Sequence, residues 1–507
     1  MTDVEKRHWA DRVAREAAEK SSKHLISTGI TPSGDIHIGN MREILTGDAI
    51  FRALSDRGVE CRFNYIADNF DPLRRVYPFL DAAVFEPCVG KPLCRIPCPC
   101  GEHTNYSEHF LLPFIEALER LGVQVEVIRA EDEYRNGAFD DVAITALEQQ
   151  AKIKKIMEEE TGKEVEDSWS PFNVVCTDCG KMTTTTVTGF DADGKTVSYT
   201  CDCGAEGTLP IAGNGKLTWR VDWPARWKVF GVTIEPFGKD HASRGGSYDT
   251  GSRIARDVYG IEPPHPVPYE WISLRGKGDM SSSKGNVITI SQVLDVVPAD
   301  VLRYFIFRSV PNKSLTFQPG LPLLSLVDEY DAAANNEDTR RAVELSRTGD
   351  EAPLGVPYRH IVSLIQTTSG DIDKILEILK RNGIEIEDRN RLEERVACGT
   401  RWLDTFAPPE AKFELQDSLP ERAKEFSDEQ KRLLAALAER LQPGMNADEI
   451  HNLVYDIKEE LGMAPGDVFK AIYVSLLAKD RGPRAGWFLS SLDMGFLKQR
   501  LAEAAGT

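Results

Sequence analysis

The stretch that most restricts the fold is a strand, a turn and a helix near the N-terminus. His24–Ile30 is largely apolar, Thr31-Pro32-Ser33-Gly34 is a Pro/Gly turn, and Met41–Leu54 has amphipathic helical spacing. This order belongs to open α/β folds and places backbone N–H groups and a helix N-terminus against a nucleotide phosphate. His37 stands at the mouth of the helix and can donate to a phosphate oxygen. Gly34 and Gly39 let the backbone approach closely. Far downstream, Met280-Ser281-Ser282-Ser283-Lys284-Gly285-Asn286 gathers three hydroxyls, one ammonium and a flexible glycine, the makings of a polyphosphate clamp.

The rest of the chain sets the frame for these two motifs. At 507 residues it exceeds what one core can organise, so several domains are expected. A hydrophobic share of 41% with 28% charged residues describes an ordinary globular chain. No apolar run approaches the ~18 residues a membrane span needs, and the N-terminus does not read as a signal peptide. The net charge of −19 argues mildly against a nucleic-acid partner. It does not exclude one, because phosphate binding depends on local patches.

Residues 1–85 read as the first half of a Rossmann-like α/β domain, with a second strand at Cys61–Ile66. Residues 86–215 break into Cys-, Pro- and Thr-rich pieces and read as an insertion, with one long helix near 139–160. Alternation resumes over 216–321, starting with strands at Lys216–Trp219 and Thr233–Phe237. From about 322 to 507 nearly every stretch has helical period, beginning with Leu323–Leu345.

All but two of the ten cysteines, Cys61 and Cys398, fall in two clusters, a pattern that suits metal binding in a reducing cytoplasm. Cys176-Thr177-Asp178-Cys179 and Cys201-Asp202-Cys203 are two knuckles, each followed by glycine and joined by a candidate hairpin. Four thiolates so arranged specify a structural Zn²⁺ ribbon. Cys88, Cys94, Cys98 and Cys100, with His103 and His109 nearby, are irregularly spaced, and metal binding there stays open.

His37-Ile38-Gly39-Asn40 and the Ser-rich stretch, in this order, resemble the HIGH and KMSKS signatures of class I aminoacyl-tRNA synthetases. The resemblance implies ATP as substrate, with Mg²⁺ bridging its phosphates. The implied ATP site is Pro32, Ser33, Gly34, His37, Gly39, Asn40 and Met280, Ser281, Ser282, Ser283, Lys284. His37, Asn40 and Lys284 would act on the transition state. Asn40 replaces the second histidine of the family pattern. Asp279 and Ser282 replace its two lysines, which leaves Lys284 to stabilise the departing pyrophosphate, with Lys277 as the alternative.

Glutamyl enzymes of this class open the first motif with an arginine, and here that position is Ser27. Tyr65–Pro72, Trp219–Trp227, Gly238–His241 and Tyr269-Glu270-Trp271 supply acids and aromatic faces suited to a cationic side chain. From His8-Trp9-Ala10-Asp11 through both motifs into the C-terminal helices, the chain resembles the class I lysyl-tRNA synthetases. Gly29, Thr31, Trp219, His241 and Tyr269 are then implied for the lysine pocket, with Asp68 and Asp222 as candidates to meet its ammonium. The resemblance makes tRNA(Lys), L-lysine and ATP the partners, and the helical region the anticodon-binding part. There Lys479, Arg481 and Arg484 could meet phosphates, and Trp487 or Phe488 could stack a base. A class I synthetase for glutamate and a tRNA-independent adenylating ligase are the alternatives.

Overall fold

The computed structural model describes residues 8–275, the backbone of 278–279, and residues 288–349 and 354–506. The chain divides into two compact units. The first comprises residues 1–294, 302–317 and 337–348; the second comprises 295–301, 318–336 and 349–507.

The first unit is built on a five-stranded sheet. Its strands are β1 (Lys23–Ile30), β2 (Glu60–Ala67), β3 (Glu126–Arg129), β4 (Ile234–Gly238) and β5 (His265–Tyr269). They lie in the order β5-β4-β1-β2-β3, and every adjacent pair is parallel. β1 is buried along His24–Thr28 and β4 throughout, as expected for strands with helices on both faces. The main helices of this unit are α1 (Trp9–Ala18), α2 (Ile38–Ser55), α3 (Tyr106–Arg120), α4 (Trp219–Phe230) and α5 (Ser247–Asp257). The strand order reverses between β1 and β4. Their C-terminal ends, Ile30 and Gly238, therefore flank the crevice where open α/β sheets bind ligands.

Between β3 and α4 the chain differs from its sequence pattern in two places. The helix expected near 139–160 is two helices, Asp140–Glu148 and Gln150–Thr161. The strand expected at Lys216–Trp219 stops at Leu217, and Trp219 begins α4. Tryptophan and valine favour strands only where a pleated surface is there to receive them. Here the 219–230 segment instead closes on Gly231 in the left-handed conformation, an ordinary helix stop.

Past the last described strand, Leu315–Phe317, every element is helical. Leu323–Leu345 is interrupted, forming Leu321–Ala333 and Arg340–Ser346. The second unit encloses its own core, with Leu433, Leu437, Ile450, Ile472, Phe488 and Leu501 all fully buried. No helix among the described residues is long and apolar enough to cross a membrane.

Candidate active site

The first motif is a helix cap. His37 is the N-cap of α2, its Nδ1 accepting from the Gly39 N–H at 3.1 Å. Asn40 answers with its Oδ1, which accepts from the His37 N–H at 3.1 Å. This reciprocal pair fixes the imidazole. Burial lowers the His37 pKa to about 4, so the ring is neutral at physiological pH. With Nδ1 accepting, the proton sits on Nε2, a donor for an anion at the helix N-terminus. Pro32 and Gly34 are buried in the loop before it, and Tyr106 donates to the Ser33 carbonyl at 2.8 Å.

Met280, Ser281, Ser282, Ser283 and Lys284 lie outside the described residues, as does Lys277. Their flanks are visible. Gly278–Asp279 pairs with Ile272–Leu274, and Thr289 makes an isolated bridge to His37. Arg42, one turn into α2, donates through Nη2 to the carbonyls of Val310, Pro311 and Lys313. That segment leads into Leu315–Phe317, which pairs with Ile272–Leu274. The first motif is thus tied to the platform from which the Ser-rich segment departs.

Four of the five residues implied for the amino-acid pocket form two groups. Trp219 stacks on Trp223 with centroids 5.4 Å apart, and His241 lies 5.4 Å from Trp223 and 5.9 Å from Trp219. Glu235 accepts from both the Trp223 and Trp227 indoles, which holds this aromatic wall. Trp219 remains 37% exposed, so its face is available to a ligand. The second group converges on a residue that the sequence reading passed over. Glu43 accepts from the Gly29 N–H at 2.8 Å through Oε1 and from the Tyr269 hydroxyl at 2.7 Å through Oε2.

Glu43 lies deep in the unit yet keeps some solvent contact, as a carboxyl on a pocket floor does. Burial raises its pKa to about 7, against the pull of its two hydrogen bonds, and the charges of Asp68 and Asp240 raise it further. A side chain at Gly29 would be crowded, since a Cβ would lie 3.3 Å from the Ile66 carbonyl and 3.4 Å from Arg226. The signal for Glu43 was a carboxylate in the first turns of α2, three residues past Asn40 and flanked by the buried positions Met41, Arg42, Ile44 and Leu45.

Asp68 and Asp222 are already paired. Arg226 binds both, and Lys216 lies 3.0 Å from Asp68 and 3.5 Å from Asp222. Lys216 also pairs with Asp71, which accepts from the Thr31 hydroxyl at 2.9 Å. Burial pushes the Asp68 carboxyl up, but Arg226 and Lys216 outweigh it and hold it well below the usual range. Two internal cations therefore occupy the carboxylates first nominated for a ligand ammonium. Thr31 joins this network rather than the Glu43 group.

Both cysteine clusters converge. Cys176, Cys179, Cys201 and Cys203 bring four sulfurs within 4.8 Å of one another, at the base of the antiparallel hairpin Thr185–Asp191 and Thr196–Cys201. Cys176–Cys203 and Cys179–Cys201 are 3.6 and 3.7 Å apart. Sulfurs bound at ~2.3 Å to a tetrahedral ion sit about 3.8 Å apart, so the donor set fits Zn²⁺. In the irregular cluster, Cys98, Cys100, His103 and His109 converge likewise, with Sγ–Nδ1 separations of 3.2 to 3.7 Å. Cys88 is instead packed among Phe85, Leu93 and Tyr106, and Cys94 packs at the edge of the neighbouring core.

In the second unit a cavity of about 540 Å³ is lined by Arg359, His360, Gln366, Lys479, Arg484 and Trp487, among others. Trp487 packs against His360 at 4.2 Å. Phe488 is fully buried in the core and cannot stack a base.

A family model described as tRNA synthetases class I (K) matches residues 7–350. A protein from Methanosarcina acetivorans named lysine–tRNA ligase 1 is 50% identical, the alignment covering 98% of each chain. A lysine–tRNA ligase from Archaeoglobus fulgidus is 47% identical over 98% of this chain and all of its own length. One from Thermoplasma volcanium is 39% identical over 98% of this chain and 99% of its own. The capped first motif at the mouth of a parallel sheet and this match over most of the chain place the protein in the class I (K) family of tRNA synthetases.

Proposed function

We propose that the protein activates L-lysine with ATP and transfers it to tRNA(Lys). The observation that carries this reading is Glu43. It is a deep carboxylate with no cationic partner among its hydrogen bonds, beside an aromatic wall with one open face. A ligand ammonium placed there completes a charge-assisted pair and can lie against Trp219. The full-length similarity to proteins named lysine–tRNA ligases supports the same choice.

In this reading the lysine carboxylate attacks the α-phosphorus, pyrophosphate leaves, and a terminal ribose hydroxyl of the tRNA then displaces AMP. Geometry and charge suffice for such a reaction. His37 Nε2–H and the Asn40 amide donate to phosphate oxygens at the α2 N-terminus. Pro32, Ser33, Gly34 and Gly39 shape the backbone around the nucleotide. Lys284, with Met280 and Ser281–Ser283, is assigned to the leaving pyrophosphate. Mg²⁺ bound together with ATP would supply further charge neutralisation. Gly29 and Tyr269 orient Glu43, Trp219 and His241 form the wall, and Thr31 holds Asp71.

Cys176, Cys179, Cys201 and Cys203 are assigned one structural Zn²⁺, and Cys98, Cys100, His103 and His109 a second. We assign residues 1–85 and 216–321 to the catalytic domain and 86–215 to its insertion. Residues 322–507 are assigned to anticodon binding, with Lys479, Arg484 and Trp487 facing the nucleic acid. The protein is placed in the cytoplasm, where translation takes place.

Charging of total tRNA tested with each amino acid decides the substrate. Lysine should be the one accepted, and faster charging with glutamate or arginine would overturn the assignment. Elemental analysis should give about two zinc ions per chain, falling to about one in either Cys98→Ser or Cys176→Ser. A full count in a variant removes that cluster from the metal assignment.

A further inference from the structure

The opposite edge of the same sheet carries a cavity with no role in the chemistry above. At the N-terminal ends of β1, β4 and β5 lies a space of about 460 Å³, lined among others by Lys20, Val232, Tyr248, Arg256, Pro264 and His265. Its frame is a backbone ladder across the strand starts. The Thr233 N–H donates to the Leu25 carbonyl at 2.9 Å, and the His265 N–H to the Thr233 carbonyl at 2.8 Å. His24 locks this frame, with one ring nitrogen on the Thr233 hydroxyl and the other on the Ser21 carbonyl. β5 is the border strand, and its His265 N–H faces inward. By alternation Pro266 and Pro268 take the outward positions, so the border lacks the donors that an added strand would need. A small molecule, not a strand, suits this volume.

Three basic groups line the cavity, and they are weakly engaged. Among the described residues Lys20 forms no ion pair and the half-buried His265 ring makes no hydrogen bond. Arg256 pairs with Glu262 at 3.1 Å, but both side chains are at least half exposed, an arrangement worth little in water. Burial, and then the charge of Lys20, lower the His265 pKa, with Glu16 opposing. The neutral ring keeps one N–H, so two cations and one neutral donor are available to an anion with several oxygens. Val232, Pro263 and Pro264 give apolar walls for a flat body. Tyr248 connects this cavity to the aromatic wall of the candidate active site. Its hydroxyl donates to the Pro264 carbonyl at 2.7 Å, and its N–H donates to the His241 carbonyl at 3.1 Å. Its ring stacks on Phe237 at 4.9 Å and meets Trp223, on which Trp219 stacks, at 6.3 Å. One aromatic layer thus joins the cavity to the proposed lysine pocket.

We propose that this cavity is a regulatory site for a small phosphate ester bearing one flat ring, with Lys20, Arg256 and His265 on the phosphate and Tyr248 relaying occupancy to the lysine pocket. The relay rests on the aminoacylation reading above, whereas the binding site does not. A nucleoside monophosphate and a simple aryl phosphate share this chemistry.

The test uses the full chain with its active site filled by a non-hydrolysable lysyl-adenylate analogue, so that nucleotide at the first motif does not count. Calorimetric titration with 5′-AMP or with phenyl phosphate should then show one site per chain, about tenfold or more tighter than inorganic phosphate. Tighter binding of 5′-AMP than of phenyl phosphate names a nucleotide as the ligand, and the reverse order names an aryl phosphate. Lys20→Ala/Arg256→Ala should weaken the better ligand by about tenfold or more and leave analogue affinity within about twofold. The relay is read without the analogue, as lysine affinity from tryptophan fluorescence with and without phenyl phosphate. It should change by about fivefold or more in the parent and stay constant in the double variant. Absence of a second site overturns the proposal, and so does inorganic phosphate binding as tightly as both esters. A change in lysine affinity that persists in the double variant places the ligand elsewhere and overturns it too. An unsubstituted protein that binds another aminoacyl-adenylate analogue better than the lysyl one overturns the choice of amino acid, not the cavity. The cavity is then judged with that analogue filling the active site.

Discussion

Two groups of buried acids sit side by side at the C-terminal edge of the sheet, and they are handled in opposite ways. Asp68, Asp71 and Asp222 are each paired with Lys216 or Arg226, and Arg226 itself lies 6.0 Å from the Trp219 ring. Among the described residues Glu43 has only neutral donors, the Gly29 N–H and the Tyr269 hydroxyl. The electrostatic consequence is opposite in sign. Asp68 is held low by its cations, whereas Glu43 is raised to about 7 by burial. A deep carboxylate left without a counter-ion is unfavourable to the fold, and such groups concentrate at functional sites. In the reading proposed above, the paired acids serve architecture and the acid with neutral donors meets the ligand.

The sharpest way to break this comparison is Glu43→Gln. Removing one partner of a buried charge pair costs about 3–5 kcal/mol. The kcat/KM for lysine, measured with saturating tRNA, should therefore fall by roughly two to four decades. The KM for ATP should move little, because ATP binds at the α2 cap. A lysine kcat/KM within threefold of the parent would remove Glu43 from the pocket and reopen the search for its acid.

The paired group should respond in stability. Asp222→Asn leaves Arg226 and Lys216 sharing Asp68 and Asp71, and the Tyr134 hydroxyl loses its charged acceptor. Two cations then face two carboxylates, so the loss is that of the charge-assisted bonds Asp222 accepts from Arg226 and Tyr134, and it should cost about 1–3 kcal/mol in chemical denaturation. If Asp222→Asn keeps its stability but loses lysine selectively, the architectural role assigned to this network is wrong.

How much of this could be read beforehand follows from the range of the interactions involved. The cap at His37 and Asn40 is local, so strand, turn and helix were legible from consecutive residues. The convergence of Cys176, Cys179, Cys201 and Cys203 was legible because each pair is closely spaced and a hairpin joins the two pairs. The Cys98–His109 set was not, because its four donors sit at uneven intervals and only the fold chooses them over Cys88 and Cys94. Glu43 was invisible because Tyr269, which gives it meaning, lies 226 positions away. Asp222 misled for the complementary reason. Its i+4 neighbour Arg226 was in plain view, but Lys216 and the burial that makes the pairing binding were not. The aromatic block at 219–227 carried strand-like composition, and its helix was decided by packing against α5 and β4.

A smaller effect comes from protons. Glu43 must be ionised to meet an ammonium, and in the free protein it titrates near 7. Below that value each pH unit should lower kcat/KM for lysine by about tenfold, equivalent to 1.4 kcal/mol, with a plateau above about pH 8. His37, lowered to about 4, stays neutral throughout and adds no step. Glu235 titrates near 8, but it faces the Trp223 and Trp227 indoles. A profile unchanged by Glu43→Gln would assign the step to a different group.

The smallest effect has the opposite direction to the first. The folded-state pKa of Glu43 lies above its usual value near 4.5, so the native protein holds this proton more tightly than the unfolded chain. That contribution is fully present below about pH 4.5 and is lost as pH rises through 7. At pH 8 without lysine, the ionised carboxyl should therefore cost on the order of 1–2 kcal/mol, allowing for the solvent that reaches it. Glu43→Gln removes the charge and should be more stable than the parent by that margin at pH 8, and by nothing measurable at pH 4.5. Saturating lysine should erase the difference by stabilising only the parent. The same substitution would then impair lysine use while strengthening the apo fold, as expected of a group kept for its ligand. Equal destabilisation at both pH values would instead make Glu43 one more structural acid, and the distinction between the two groups would disappear.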